Sequence, residues 1–495
     1  MGVPDVQTGS GEENEGGVLT LQLTKNPAQA RGLPEQERAA LGRLIEIYNR
    51  HAAANAVKRR YYEGHITLDE VNLGLALPKG MRGLEIGCAW GEKTVDVLAA
   101  RSMFDGFVGR DGESAEVMSR IAEDNRLVSE YMKACRDELK YGCTFAALYR
   151  DGDAGCRIRF YSPESAAGEW NGESGRIGAG FVIVAASEDG ITRERTPSVI
   201  HLHTETDVWI LRRGRDDQDW RAERRPHRMG RPLMEPLIWN ATSKKPFGRS
   251  RIKEPIRRLI QGYVRTVANA TIGLEFATSP QKYLLGLTDD QYDAVISQQF
   301  RNYVGSLMAA TPNPETGENP EFGQLSQGTV EPHVQMLRML ATQFSAATGL
   351  TVTDVGVVND ANPTSSDAIL AQSQTLILMA EQLNAGNGDS LHTIAMMAQA
   401  IARNVTMEDL TGEETDVVAH FKNPAMPSVS SMTDAALKLA SARQGFADTD
   451  VFLEMTGFDQ ADIRRIKAQE RKSRGLSVLE MEFGDEDHTA VVDQV

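Results

Sequence analysis

The apolar pattern of the chain changes period twice, and these changes constrain its fold class more than any single motif does. From Pro34 to Tyr141, apolar residues recur three and four positions apart, which is the period of amphipathic helices. Between Thr144 and Trp239 they alternate or cluster in short runs, separated by glycine and small polar residues, which predicts antiparallel strands. Helical spacing returns after Ser250. Because strands and helices segregate instead of alternating, the sequence predicts an α+β fold.

The same spacing predicts the individual elements. Apolar runs indicate strands at residues 145–149, 158–161, 181–186 and 199–211. Helical spacing indicates helices over residues 34–53, 94–103, 114–141, 250–275, 334–348, 364–404, 432–443 and 459–473. Pro255 suits the first turn of its helix. Gly386-Asn387-Gly388 is a candidate interruption of the helix that contains it.

Composition limits the class of protein. The 495 residues carry 53 Lys and Arg against 69 Asp and Glu, and the net charge of −16 would repel a polyanion on average. The four cysteines lack Cys-x-x-Cys spacing, which favours reduced thiols over a disulfide scaffold. No secretory signal or apolar run of about 18 residues is apparent, so we expect a soluble chain without a membrane span. Residues 1–34 are predicted to be a disordered tail, and residues 481–495 an acidic tail.

A glycine-rich loop is the strongest candidate for a ligand site. The stretch from Glu85 to Gly91 resembles the loop with which S-adenosylmethionine-dependent methyltransferases approach their cofactor, and Asp111 could bind the ribose. Such a site needs an alternating βαβ sheet, because the cofactor lies at the carboxyl ends of parallel strands. The predicted elements lack that context. A methyltransferase is therefore the alternative function, and a glycine turn before a helix is favoured. The adjoining Gly91-Glu92-Lys93-Thr94 is rejected as a phosphate loop, because the Glu92 carboxylate would repel phosphate.

Two further clusters carry metal-ligating or charged side chains. His201, His203 and Glu205 would share one face of a strand at the spacing of metal ligands. The same alternation is typical of the solvated face of a half-buried strand, which is favoured, with Leu202 on the core side. Residues 212–231 hold eight arginines and four acids, and could face nucleic acid, a neighbouring subunit or solvent. No metal site, catalytic residue or cofactor is predicted, and a structural function is favoured over an enzyme.

Four short motifs follow one another along the chain. They are Tyr61-Tyr62-Glu63-Gly64, the run from Val95 to Arg101 followed by Gly106-Phe107, the run from Phe247 to Ile252, and Asn362-Pro363-Thr364-Ser365-Ser366-Asp367-Ala368. In this order they resemble motifs of the portal proteins of tailed double-stranded-DNA bacteriophages, in the branch typical of siphoviruses. The resemblance extends over about residues 35–475.

This resemblance implies a portal-type fold with a helical stem, a mixed α/β wing, a clip and a helical crown. By position, it implies a wing at residues 35–249 and 365–424, stem helices at 250–275 and 331–348, a clip at 276–330, a tunnel loop at 349–364 and a crown at 425–480. It implies a virion protein at one capsid vertex, present in the host cytoplasm during assembly. The implied partners are further copies in a ring, usually of twelve, DNA in transit, the terminase motor, a head–tail adaptor, and the major capsid and scaffolding proteins.

The resemblance also implies that the tunnel loop lines the DNA path. In the stem, the residues singled out are Arg257, Arg258 and Arg265, which lie largely off the apolar stripe of their helix. The tunnel-loop residues are Val357, Val358, Asn359, Asp360, Asn362, Pro363, Thr364 and Ser365. Their side chains are small, polar or acidic and offer few charge-assisted bonds to phosphate, so we expect DNA to slide past them.

Overall fold

The chain folds into two compact units. The computed structural model describes residues 26–66, 86–109, 115–152, 155–188, 195–214, 219–278, 282–285, 317, 321–324, 329–356, 366–425, 429–458 and 460–483. Unit 1 draws on Met1–Arg59, Val95–Arg251 and Thr364–Val495. Unit 2 draws on Arg60–Thr94 and Ile252–Pro363.

Helices and antiparallel strands make up the described residues, in agreement with the predicted α+β class. The helices are α1 (Glu35–Glu63), α2 (Trp90–Ala99), α3 (Glu116–Asp124), α4 (Leu127–Tyr141), α5 (Glu254–Thr278), α6 (Glu331–Thr348), α7 (Ser366–Arg403), α8 (Val429–Ala442), α9 (Asp450–Met455) and α10 (Gln460–Phe483). The strands are β1 (Phe104–Gly109), β2 (Cys143–Asp151), β3 (Gly155–Tyr161), β4 (Ala166–Asn171), β5 (Arg176–Glu188), β6 (Arg195–His203), β7 (Asp207–Arg213), β8 (Trp220–Pro226), β9 (Met234–Ile238), β10 (Lys282–Leu285), β11 (Glu321–Gln324) and β12 (Val417–Phe421).

A five-stranded sheet with the order β4-β5-β6-β7-β8 forms the centre of unit 1. Because side chains alternate between the faces of a strand, Phe181, Leu202 and Trp209 lie together on one face. They share a buried cluster with Leu41 and Leu44, which α1 contributes at helical spacing. The apolar face of α1 therefore packs against the apolar face of the central sheet.

A three-stranded sheet, β3-β2-β9, packs against the other face of the central sheet. Phe145 and Met234 from the smaller sheet share a buried cluster with Ile177 and Val182 of β5. Helix α7 packs on β2, β3 and β9, and the Ser390 hydroxyl donates a 2.9 Å hydrogen bond to the carbonyl of Pro236 in β9.

The predicted single helix over residues 114–141 is wrong, because Asn125 and Arg126 divide it into α3 and α4. Arg126 adopts a left-handed conformation with φ of 51°. The Asn125 side chain donates to the carbonyls of Ile121 and Cys156 and accepts from the amide of Ile158. Two of these bonds reach β3, so the break depends on a tertiary contact that helical spacing does not report.

The predicted interruption at Gly386-Asn387-Gly388 is also wrong, since α7 runs unbroken from Ser366 to Arg403. A Cβ atom on Gly386 would meet no other atom within 4 Å, so close packing does not explain this glycine. Asn387 is fully buried and bonds to Tyr131 and Glu138 of α4. The helix therefore tolerates two glycines because its middle is held by packing and by buried hydrogen bonds.

Several boundaries differ from the predictions. Helix α1 continues to Glu63, ten residues beyond the predicted end, and α10 continues from Gln460 to Phe483, past the predicted end at residue 473. Residues 199–211 are parts of two strands, β6 and β7, joined by a tight turn. Strands β1 and β12 pair with each other, and neither was predicted. The helix predicted over residues 94–103 ended just before β1, and no strand was predicted near residue 417.

The predicted disordered tail is wrong for residues 26–34. The amide of Arg31 donates to the carbonyl of Trp220 at 2.8 Å, and the amide of Ala222 donates to the carbonyl of Arg31 at 2.9 Å. Ala28, Ala30 and Leu33 are buried. This segment therefore covers the edge strand β8, which would otherwise present unpaired backbone groups. The rest of the predicted tail, residues 1–25, lies outside the described residues, as do residues 484–495.

Candidate functional site

Unit 2 is built on the two predicted stem helices, α5 and α6, which pack on each other. Helix α5 begins at Glu254 with Pro255 in its first turn, where the missing N–H costs no hydrogen bond. Its buried stripe consists of Ile256, Ile260, Val264 and Ala268. Helix α6 ends at Thr348 and is capped by Gly349, whose left-handed φ of 74° suits glycine.

The Trp90 ring lies between the two stem helices. Its centroid is 4.5 Å from the Tyr263 ring of α5 and 4.6 Å from the Phe344 ring of α6. Trp90 and Phe344 are buried. This aromatic cluster ties the start of α2 to both stem helices and explains why an aromatic residue stands in the glycine-rich loop.

The glycine-rich loop has a packing role in unit 2. A Cβ atom on Gly91 would lie 1.8 Å from the carbonyl oxygen of Tyr61, at the end of α1. Gly64 follows that end with a left-handed φ of 79°, and its Cβ would lie 3.0 Å from the Cys88 carbonyl oxygen. The glycines of the Tyr-Tyr-x-Gly motif and of the loop thus allow two backbones to touch. Glu85 and Asp111, the other proposed cofactor ligands, lie outside the described residues, and nothing favours a methyltransferase.

The motif at residues 247–252 connects unit 1 to the first stem helix, and its unit 1 residues are fixed by backbone contacts. Gly248 has a left-handed φ of 70°, and a Cβ atom there would lie 2.1 Å from the Trp239 carbonyl oxygen. The Ser250 hydroxyl donates to the carbonyl of Lys140 at 2.5 Å, and the Arg251 amide donates to the carbonyl of Leu139 at 2.9 Å. The bonds of Ser250 and Arg251 therefore anchor the chain to the end of α4 before α5 begins, and Gly248 allows the backbone to approach Trp239.

The stem arginines occupy three different environments on α5. The Arg257 guanidinium lies 5.9 Å from the centroid of the Tyr61 ring, within the range of a cation–π contact. Arg258 pairs with Glu254 one turn earlier, with 3.3 Å between the charged atoms. Arg265 is exposed. All three lie off the buried stripe, as the spacing predicts.

Exposed apolar side chains remain on the stem pair. Leu274 of α5 and Met339 of α6 are each 47% exposed, and Val334 and Met336 of α6 are also exposed. These residues do not contribute to the buried stripe between the helices. Met336 and Met339 lie three positions apart and share one face of α6, as expected of a surface that contacts another chain.

His203 is buried and His201 is half-buried, so the predicted solvated face is wrong for this part of β6, whereas Glu205 lies beyond the strand and is exposed. Both faces of β6 are covered, since His203 and Leu202 each have no exposed surface. Burial lowers the pKa of His203 to about 3, and burial together with Arg212 lowers that of His201 to about 4, so both rings are neutral. Among the described residues, no group of three or more histidine, cysteine or acidic side chains is arranged to hold a metal ion.

The arginine-rich segment 212–231 lies largely on β7, β8 and the turn that follows. Arg224 pairs with Asp207 at 2.6 Å, Arg225 pairs with Glu223 at 3.3 Å, and Arg231 pairs with Glu235. Residues 215–218 of the segment lie outside the described residues. Neighbouring carboxylates therefore offset part, though not all, of the positive charge that the sequence shows.

The tunnel-loop residues from Val357 to Ser365 lie outside the described residues. Of the predicted clip, the described part is mainly the antiparallel pair β10–β11, in which Lys282 is opposite Gln324. None of the described helices combines the length and apolarity that a bilayer span requires.

The described residues hold motifs whose glycines let two backbones approach closely, and a pair of stem helices that pack on each other. The sequence model of a family described as "Phage portal protein, SPP1 Gp6-like" matches residues 41–475, most of the chain. The chain therefore belongs to this family of phage portal proteins, the structural head–tail connectors of phage particles.

Comparisons with individual proteins give distant similarities. There is no match among curated proteins. A chain from the "Neck of native GTA particle computed with C12 symmetry" has 12% sequence identity and a TM-score of 0.42, over 74% of this chain and 89% of that chain. A chain from the "Neck of empty GTA particle computed with C6 symmetry" has 11% identity and a TM-score of 0.45, over 72% of this chain and 87% of that chain.

Proposed function

We propose that copies of this portal protein close into a ring, of twelve as the resemblance implies, around a channel for double-stranded DNA. The observation that carries the ring is the exposed apolar pair Met336 and Met339, which lie three positions apart on one face of α6, with Leu274 and Val334 as further exposed apolar residues of the stem pair. A surface repeated on every copy is covered economically by a neighbouring copy, and such head-to-tail contacts close into a ring when the rotation permits.

The parts of the portal are assigned by position. Helices α5 and α6 are the stem, residues 276–330 the clip, residues 349–364 the tunnel loop, and residues 425–480 the crown. The wing takes residues 35–249 and the helix that follows residue 365. This division places the exposed apolar residues within the stem, where neighbouring copies of a ring come closest to its axis.

The channel is proposed to let DNA slide, because a conduit must not retain its cargo. Each phosphate neutralised by lysine or arginine adds affinity through counterion release. The net charge of −16 opposes such binding. Within the stem, Arg257 contacts an aromatic ring and Arg258 pairs with Glu254, and both Arg258 and Arg265 are exposed. The tunnel loop supplies neutral amides and Asp360.

The ring is proposed to bind the terminase motor during packaging and a head–tail adaptor afterwards, with the major capsid and scaffolding proteins around it. It has no catalytic activity of its own in this proposal. It assembles in the host cytoplasm and remains at one capsid vertex of the virion.

Lysine substitution of the tunnel loop tests the conduit. Asn359→Lys, Asp360→Lys and Asn362→Lys together should leave ring assembly intact, create salt-sensitive retention of DNA and impair packaging. The matched control replaces the same three residues with serine and should package normally. Normal packaging by the lysine variant, with no added DNA affinity at low salt, would show that these residues do not line the DNA path.

A further inference from the structure

Unit 1 contains a cavity of about 750 Å³ on the face of the central sheet opposite α1. The smaller sheet covers that face over β5, where Met234 lies so close to Gly180 that a Cβ atom there would be 2.4 Å from its sulfur. Over β7 and β8 the face is open, and the turn after α7 forms the opposite wall. We call this cavity the arginine pocket.

The floor of the arginine pocket is apolar. Val208 and Ile210 of β7 share a sheet face with His201 and His203, because they are their cross-strand partners. Leu148 of β2 and Ile401 of α7 complete the floor. All four apolar residues are buried, so the cavity offers an apolar surface to whatever enters it.

The rim of the pocket is cationic. Arg150, Arg212, Arg225 and Arg228 line it, and all four are exposed. Arg150 donates to the side chain of Asn404, and Arg225 pairs with Glu223, while no ion pair of Arg212 or Arg228 occurs among the described residues. The one carboxylate in the lining, Asp409, accepts hydrogen bonds from the amide and hydroxyl of Thr406. Positive charge therefore dominates the rim.

Neutral imidazoles line the pocket beside the arginines. His201 and His227 both contribute to the wall, and the Nδ1 atom of His201 and the Nε2 atom of His227 are buried without a hydrogen-bond partner in the described structure. Such nitrogens can accept or donate a bond to a polar ligand without adding charge.

An apolar floor under a cationic rim selects a ligand that joins acidic groups to an apolar anchor. DNA phosphates would pair with the arginines of the rim but would leave the apolar floor uncovered. An acidic peptide with an aromatic side chain would contact both the rim and the floor. Arginine is also enriched among the residues that contribute most to protein interfaces. Residues 480–487 of this chain have that chemistry: five acids in eight residues, no base, and the apolar Met481 and Phe483.

We propose that the arginine pocket binds the acidic segment 478–487 of a second copy of this chain. Within one copy, helix α10 carries this segment as far as Phe483. The segment of a neighbouring copy is the proposed occupant. This inference rests on the proposed ring, which supplies that neighbour, and it assigns part of residues 212–231 to a contact between subunits.

Peptide binding tests the pocket independently of ring formation. The probe is a fluorescent peptide of residues 478–489, and the receptor is the full-length chain whose acids in 480–487 are changed to amides, so that its own segment does not compete. We expect saturable binding that weakens with salt. Arg212→Ala with Arg228→Ala should weaken it at least about tenfold, whereas Arg50→Ala, a surface arginine of α1, should not change it.

Two peptide variants separate the two halves of the proposal. Binding should be lost when the five acids become amides and when Phe483 becomes alanine. Absence of binding, or equal binding by the double arginine variant, would overturn the proposal even if the full-length chain forms rings. Displacement of the peptide by a short DNA duplex that binds the pocket more tightly would instead assign it to nucleic acid.

Discussion

The Asn387 side chain of α7 donates a 2.8 Å hydrogen bond to the Glu138 carboxyl of α4, and neither residue has any exposed surface. The same amide donates to the Tyr131 hydroxyl at 2.8 Å, which in turn shares a 2.7 Å bond with Ser102. No cation pairs with Glu138 among the described residues, and burial raises its pKa to about 8. The two helices are therefore joined through a carboxyl that is protonated at neutral pH.

Glu138→Gln should flatten the stability curve between pH 4.5 and about 8. A carboxyl whose pKa is higher in the folded chain than its ordinary value of 4.5 contributes full stability below that value and loses it as pH rises toward about 8. Glutamine keeps the hydrogen-bonded shape and does not ionise. We expect the variant to gain on the order of a few kcal/mol relative to wild type at pH 9, measured by urea unfolding. Glu46→Gln, on the exposed side of α1, is the control, and an unchanged slope in Glu138→Gln would contradict this account.

His203→Leu should reduce the loss of folding stability at acid pH. A histidine whose pKa is lowered to about 3 by burial contributes stability above its ordinary value of 6.5, and that stability is lost as pH falls. Leucine cannot be protonated, so the variant should lose less stability than wild type between pH 6.5 and 4. Thermal unfolding across this range measures the difference, with the exposed His65→Gln as control. Parallel curves for wild type and His203→Leu would contradict the buried, neutral assignment.

The two glycines of the glycine-rich loop should differ sharply when each becomes alanine. Gly91→Ala places a methyl group against the Tyr61 carbonyl oxygen and should cost about 1–3 kcal/mol or prevent folding. Gly87→Ala meets no atom within 4 Å and should change stability by less than about 0.5 kcal/mol. Urea unfolding of both variants measures this. Equal effects, or saturable S-adenosylmethionine binding that Gly87→Val abolishes, would contradict a packing role.

Charges on the exposed stem face should prevent ring closure. Met336→Glu with Met339→Glu places two carboxylates in the proposed contact between copies, where burying an unpaired charge is costly. We expect the ring fraction to fall at least about tenfold by mass photometry. Gln36→Glu with Ala39→Glu adds the same charge to exposed positions of α1, also three residues apart, as a control. A ring fraction unchanged in the methionine variant would remove the stem from the interface.

The spacing of apolar residues, and the glycine and small polar residues that separate the apolar runs, predicted the α+β class and most helices, because local spacing determines which face each element buries. They failed where distant residues decide the structure. Strand β1 pairs with β12 more than three hundred positions later, and the break at Asn125 is made by bonds to β3. Alternation also misassigned His203, because a strand covered on both faces has no solvated side.

The candidate residues divide in the same way. Gly91 of the glycine-rich loop and Gly248 of a portal-like motif were visible in the sequence, but their close approach to Tyr61 and to Trp239 depends on the folded backbone. The arginine pocket joins residues of β2, β7, β8 and the turn after α7, and spacing within any one of them does not reveal it. The alternation of Val208, Ile210 and Arg212 was its one sequence signal.

Negative-stain electron microscopy of the purified full-length chain tests the ring most directly. The account predicts closed rings with a central hole in views down the axis, present at micromolar concentration and moderate salt. A chain that stays monomeric at every concentration and salt condition would contradict the proposal that it forms a channel.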